Sequence, residues 1–75
     1  MPDNNILEVI REKFDSKDML KGIDADTDFF DLGVSSLTVV DLQIQVEEAL
    51  GRQVDTSLLM ANPTIGGWVD AYTNA

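Results

Sequence analysis

The segment from Gly33 to Gly51 constrains this chain more than any other. Val39, Leu42, Val46 and Leu50 follow one another at offsets of 0, 3, 7 and 11, with Ala49 beside them, and that is a helical period. Gly51 is a helix-stop residue, so the pattern predicts a helix from about Ser36 to Leu50 with this stripe on the core. Leu37, Val40 and Ile44 form a second stripe, and Asp41, Glu47 and Glu48 extend it. A helix with one buried face does not need both. The second stripe either packs under the preceding loop or stays free as a docking face, with carboxylates to steer and apolar groups to seat.

The start of this helix is chemically distinctive. Gly33 can take a positive φ, which turns the chain just ahead of Ser35 and Ser36. Either hydroxyl can cap the helix by accepting from an orphan N–H. The first turn also carries roughly half a positive charge, so a serine there can hold a phosphate ester.

Two further helical patterns flank this one. Ile6, Val9, Ile10 and Phe14 predict a first helix over about residues 4–16, with Leu7 widening its stripe and Arg11, Glu12 and Lys13 meeting solvent. Residues before it read as a frayed start. Asn5 and Glu8 have capping-box spacing, and Asp3 or Asn4 are alternative caps. Near the C-terminus Ile65, Trp68, Val69 and Tyr72 predict a last helix capped by Thr64. Gly66 and Gly67 weaken it by about 1 kcal/mol each relative to alanine, so Trp68 must supply much of its hold; a ligand-stacking role for an exposed Trp68 is the alternative. A brief helix through Leu58, Leu59 and Met60, capped by Asp55 or Thr56, must stop at Asn62-Pro63.

Residues 17–35 form a long connection, and Met19, Leu20, Ile23, Phe29, Phe30 and Leu32 can pin it to the helices. Gly22 offers a turn, and Asp28 to Leu32 a helical turn capped near Asp26 or Thr27. Asp24, Asp26 and Asp28 begin like a calcium loop. Phe29 then stands where that loop needs glycine, and Ser35 where it needs a bidentate glutamate, so a solvated acidic loop is the better reading.

Composition narrows the function. A single domain of 75 residues buries only about 60% of its unfolded surface, and such a core supplies only about 3–5 kcal/mol. There is no cysteine for a disulfide or thiolate site, and no histidine to act as a base. An autonomous enzyme is not expected. The net charge of −9 argues against nucleic acid and favours basic protein surfaces. No apolar run approaches the roughly 20 residues of a membrane span and no signal peptide stands at the N-terminus, so a cytoplasmic protein is expected.

The run Phe29-Phe30-Asp31-Leu32-Gly33, followed after two residues by Ser36-Leu37, resembles the phosphopantetheine attachment motif of acyl and peptidyl carrier proteins. It is most like carriers of polyketide and nonribosomal peptide assembly lines. Leu58-Leu59-Met60-Ala61-Asn62-Pro63-Thr64-Ile65 resembles the segment those carriers place before their last helix. The resemblance implies an all-α fold, a small four-helix bundle with a long first loop and a short third helix. It implies that Ser36 carries 4′-phosphopantetheine, whose thiol holds acyl or aminoacyl groups as thioesters. It implies docking through Ser35, Leu37, Val40, Asp41, Ile44, Glu47 and Glu48. The implied partners are a phosphopantetheinyl transferase and adenylation, condensation or ketosynthase-type enzymes of a secondary-metabolite pathway. A freestanding, monomeric carrier without metal or membrane attachment is expected. Many carriers have Asp or His where this chain has Ser35, which leaves a competing hydroxyl beside Ser36. Two rival readings are an unmodified helical interaction domain and a small serine hydrolase. The second lacks both a histidine and a G-x-S-x-G turn.

Overall fold

The computed structural model describes residues 2–75, with side chains from Asn5 onward. Helix α1 spans Pro2–Asp15. Proline suits a first helical position because its missing N–H would have no partner there. Asn5 and Glu8 therefore both lie inside α1, and the expected capping box is not formed at Asn5; the alternative caps Asp3 and Asn4 lie outside the described side chains. Ile6, Ile10 and Phe14 are buried as expected, whereas Leu7 is exposed and does not widen the stripe. Arg11 does not simply meet solvent: it is half-buried, and its guanidinium donates to the carbonyl of Ile23.

The long connection contains two 3₁₀ turns, Asp18–Leu20 and Phe29–Leu32, where one was expected. Leu20 and Phe29 are buried in the core, with Ile23 packed against it, but Met19, Phe30 and Leu32 stay exposed. The loop is held as much by its backbone as by those side chains. Phe29 N–H donates to Pro63 O at 2.9 Å, and Gly66 N–H donates to Ala25 O at 3.0 Å. Both bonds tie the loop to the junction near the C-terminus, so a segment without long regular structure still has partners for its buried amides.

Helix α2 spans Ser36–Leu50 and ends on Gly51, whose φ of 69° and N–H bond to Glu47 O form a left-handed cap. Val39, Leu42 and Val46 are fully buried and Leu50 half-buried. Ala49, placed on this stripe from the sequence, is exposed. Ten residues from Val39 bring it about 80° around the helix, which is enough to leave the core.

Helix α3 spans Thr56–Ala61 and buries Leu59. Asp55 holds its cap position without a side-chain bond, and the Thr56 hydroxyl donates instead to Gln43 Oε1 at 2.6 Å, so neither residue caps as expected. Helix α4 spans Ile65–Thr73, and Thr64 Oγ1 accepts from Gly67 N–H at 2.9 Å, the expected cap. α1 packs across both α2 and α4, with α3 closing against α4 and α2, giving an all-α bundle of four helices among the described residues.

Trp68 stands at the centre. It is fully buried, meets Phe14 edge-on at 5.1 Å and Phe29 at 5.8 Å, and donates from Nε1 to Leu59 O at 3.3 Å. This burial removes the alternative of a ligand-stacking surface. Gly67 lets the α3–α4 junction close: a Cβ there would stand 2.8 Å from both Cβ and O of Asn62. Alanine ordinarily gains about 1 kcal/mol over glycine inside a helix. Gly67→Ala is expected to lose that gain and destabilise the protein by about 1–3 kcal/mol as the junction shifts, measured by urea unfolding. Alanine at Gly66, 3.4 Å from Ala25 O, should be better tolerated.

Candidate functional site

The Asp28–Ser36 segment forms the approach to α2. Asp28, not Asp26 or Thr27, caps the second 3₁₀ turn, its carboxylate accepting from Phe30 N–H at 2.8 Å. Gly33 reverses the chain at φ 85°. Val34 is then buried and anchors the turn to the core. Ser35, with extended φ and ψ, is the N-cap of α2; its Oγ accepts from Thr38 N–H at 3.4 Å, and its carbonyl accepts from Val39 N–H at 3.2 Å. Ser36 is the first helical residue and is exposed. The two serines are thus distinguished by their positions. One hydroxyl serves the helix end, and the next is presented to solvent on the first turn, where N–H groups and the helix dipole favour an anionic ester. A crevice of about 280 Å³ opens beside this turn, lined by Lys17, Met19, Leu20, Val34 and Thr38.

The second stripe of α2 is uncovered. Leu37 is 81% exposed, Ile44 54% and Val40 39%, so the loop does not bury them. Glu48 continues the line and is also exposed. The other two acids differ from the expectation of free steering charges. Asp41 pairs with Lys17 Nζ and accepts from Gln45 Nε2 at 3.1 Å. Lys17's ammonium, assisted by the Gln45 amide, holds the Asp41 carboxyl below the usual carboxylate range. Lys17 carried no signal in the sequence, because pairing between a loop and a helix has no fixed spacing.

Glu47 faces inward. Its Oε2 accepts from Gln43 Nε2 at 3.1 Å, Val54 N–H at 3.0 Å and Tyr72 O–H at 3.0 Å. Gln43, only 8% exposed, also donates to Val54 O at 3.0 Å and accepts from Thr56. This carboxylate therefore joins α2, the 51–55 connection and α4. Glu47→Ala would strand the Val54 N–H and the Tyr72 hydroxyl and leave Gln43 Nε2 with Val54 O alone, and we expect a loss of about 2–3 kcal/mol in urea unfolding. Burial, together with the hydrogen bond to Glu47, pushes the Tyr72 phenol well above its ordinary value near 10. The folded state then keeps a proton that the unfolded state releases. The stabilisation is complete below about pH 10 and fades as pH rises beyond it. Tyr72→Phe should flatten that alkaline decline in a pH series of unfolding curves.

The chain has no histidine to activate Ser36. Among the described residues no group of three or more His, Cys, Asp or Glu is placed to hold a metal, and no helix is long and apolar enough to cross a membrane. In comparison with known proteins, the family model described as phosphopantetheine attachment site matches residues 5–72. No curated protein and no solved structure matches the chain.

Proposed function

Since the chain belongs to the phosphopantetheine attachment family, whose members carry 4′-phosphopantetheine covalently on a serine, we propose that Ser36 is that serine here. The protein is a carrier and not a catalyst. The observation that carries the assignment to Ser36 is its exposure on the first turn of α2, directly behind a serine whose hydroxyl is engaged as the cap. In attachment, Ser36 Oγ gives its proton to a base on the transferase and attacks the pantetheine-bearing phosphorus of coenzyme A; the pyrophosphate bond breaks, adenosine 3′,5′-bisphosphate leaves, and a phosphodiester remains on the serine. When bound, the arm supplies a terminal thiol that holds an acyl or aminoacyl group as a thioester. The protein's own residues present the oxygen and favour the phosphate with the helix end.

Leu37, Val40, Ile44 and Glu48, with Ser35 at the edge, form the surface on which partner enzymes dock. Exposed aliphatic groups in the same line as an exposed acid support this reading. Phosphopantetheinyl transferase is one such partner. The Phe29–Gly33 run, so like that of assembly-line carriers, supports adenylation, condensation or ketosynthase-type enzymes of a secondary-metabolite pathway as the others. Small, polar-rimmed contacts suit a shuttle that must leave each enzyme quickly.

The test is intact mass after incubation with coenzyme A, magnesium and a broad-specificity phosphopantetheinyl transferase. One added arm is expected. No addition with several transferases would overturn the assignment and favour an unmodified interaction domain.

A further inference from the structure

We propose that Lys17 is a built-in counter-ion that masks Asp41, so that partner enzymes recognise this carrier by an aliphatic row and its far-end carboxylate instead of by a continuous acidic edge. The proposal rests on the carrier reading of Ser36 and concerns what kind of surface fits around it.

Three acids lie on or beside the second stripe of α2, and among the described residues two of them have partners. Asp41, midway along the row, is paired with Lys17, and Glu47 accepts three hydrogen bonds from within the molecule. Glu48 remains exposed. Lys17 comes from the connection after α1, so the pair clips that connection onto the docking helix, beside the crevice that reaches Val34 and Thr38. At its centre the face is therefore aliphatic and close to neutral, although the chain as a whole carries −9. From Leu37 to Glu48 the helix rises about 16 Å.

The complementary partner has a matching layout. It offers an apolar slot for Leu37, Val40 and Ile44 next to the entrance that receives Ser36, and a cation about 16 Å further on for Glu48. A cation opposite Asp41 would meet Lys17 as well, and would have to displace it. Both pair members are partly exposed, with side-chain exposures of 33% and 49%, so the pair is breakable and its removal should shift recognition only severalfold.

The experiment measures kcat and KM for arm transfer from coenzyme A by the transferase at two salt concentrations. The proteins are wild type, Lys17→Gln, Asp41→Asn, the double variant and Ile44→Ala. Unmasking Asp41 leaves a bare carboxylate against the apolar slot, so Lys17→Gln should raise KM by about two- to fivefold with kcat unchanged at both salt concentrations, and a lower KM would mean a cation opposite Asp41 and overturn the proposal. In the Asp41→Asn background the same Lys17→Gln change should alter KM by less than about 1.5-fold, because no carboxylate remains to unmask. Asp41→Asn alone should raise KM less than about twofold, whereas Ile44→Ala should raise it about tenfold. An equal Lys17→Gln effect in both backgrounds would mean that only net charge matters, and would overturn the proposal. So would a tenfold loss from Asp41→Asn alone. A wild type that accepts no arm would instead overturn the assignment of Ser36, and is told apart by that control.

Discussion

Ser36→Ala is expected to abolish arm addition completely while leaving the protein folded. The substitution removes one oxygen from an exposed first-turn position, and alanine is the best helix former, so stability should stay within about 0.5 kcal/mol of wild type. Loss of the modification then reports on chemistry and not on unfolding. Ser35→Ala should show the opposite pattern. It deletes the N-cap acceptor of α2 and should cost about 1 kcal/mol of stability, yet the arm should still be added to Ser36. Intact mass and urea unfolding on the two variants separate the roles of adjacent hydroxyls. An arm on Ser36→Ala would move the site to Ser35 or elsewhere.

Trp68→Ala should unfold the protein outright. The indole is fully buried between Phe14, Phe29 and Tyr72, and its N–H answers a carbonyl at the end of α3. Truncating a buried tryptophan costs about 3–5 kcal/mol. A core of this size supplies a similar total, so little or nothing remains to hold the chain together. Far-UV circular dichroism in the absence of denaturant should show loss of helix. Trp68→Phe keeps an aromatic ring against Phe14 and loses the hydrogen bond, and should fold with reduced stability. If Trp68→Ala melts cooperatively near the wild-type temperature, the central role given to this side chain is wrong.

The helices were legible because their signals are local. Val39, Leu42 and Val46 announce a buried stripe, Gly51 a stop and Thr64 a start, and each depends only on neighbours within a turn or two. The exposure of Leu37, Val40 and Ile44 was legible as one of two alternatives, and only the packing of the loop chose between them. What the residues did not disclose depends on pairs distant in sequence. The inward turn of Glu47 requires Tyr72 and Val54 to converge on it, and the neutralisation of Asp41 requires Lys17. Asp28 was missed as a cap because Asp26, Thr27 and Asp28 all have oxygens in reach of a following N–H; the backbone chose the last of them. Leu7 and Ala49 show the limit of periodicity at the edge of a stripe, where a small rotation decides between core and solvent.

The two backbone bonds that stitch the loop to the α3–α4 junction set an order of events during synthesis. Phe29 needs Pro63, and Ala25 needs Gly66, before the turn leading to Ser36 has its full set of partners. Ser36 thus leaves the ribosome well ahead of the residues that fasten its approach. At about 5–20 residues per second, the 36 residues from Leu37 through Tyr72 take roughly 2–7 s to add. For that interval the nascent serine is present without its completed setting, and a transferase that depends on the folded helix end must wait for the last helix to emerge.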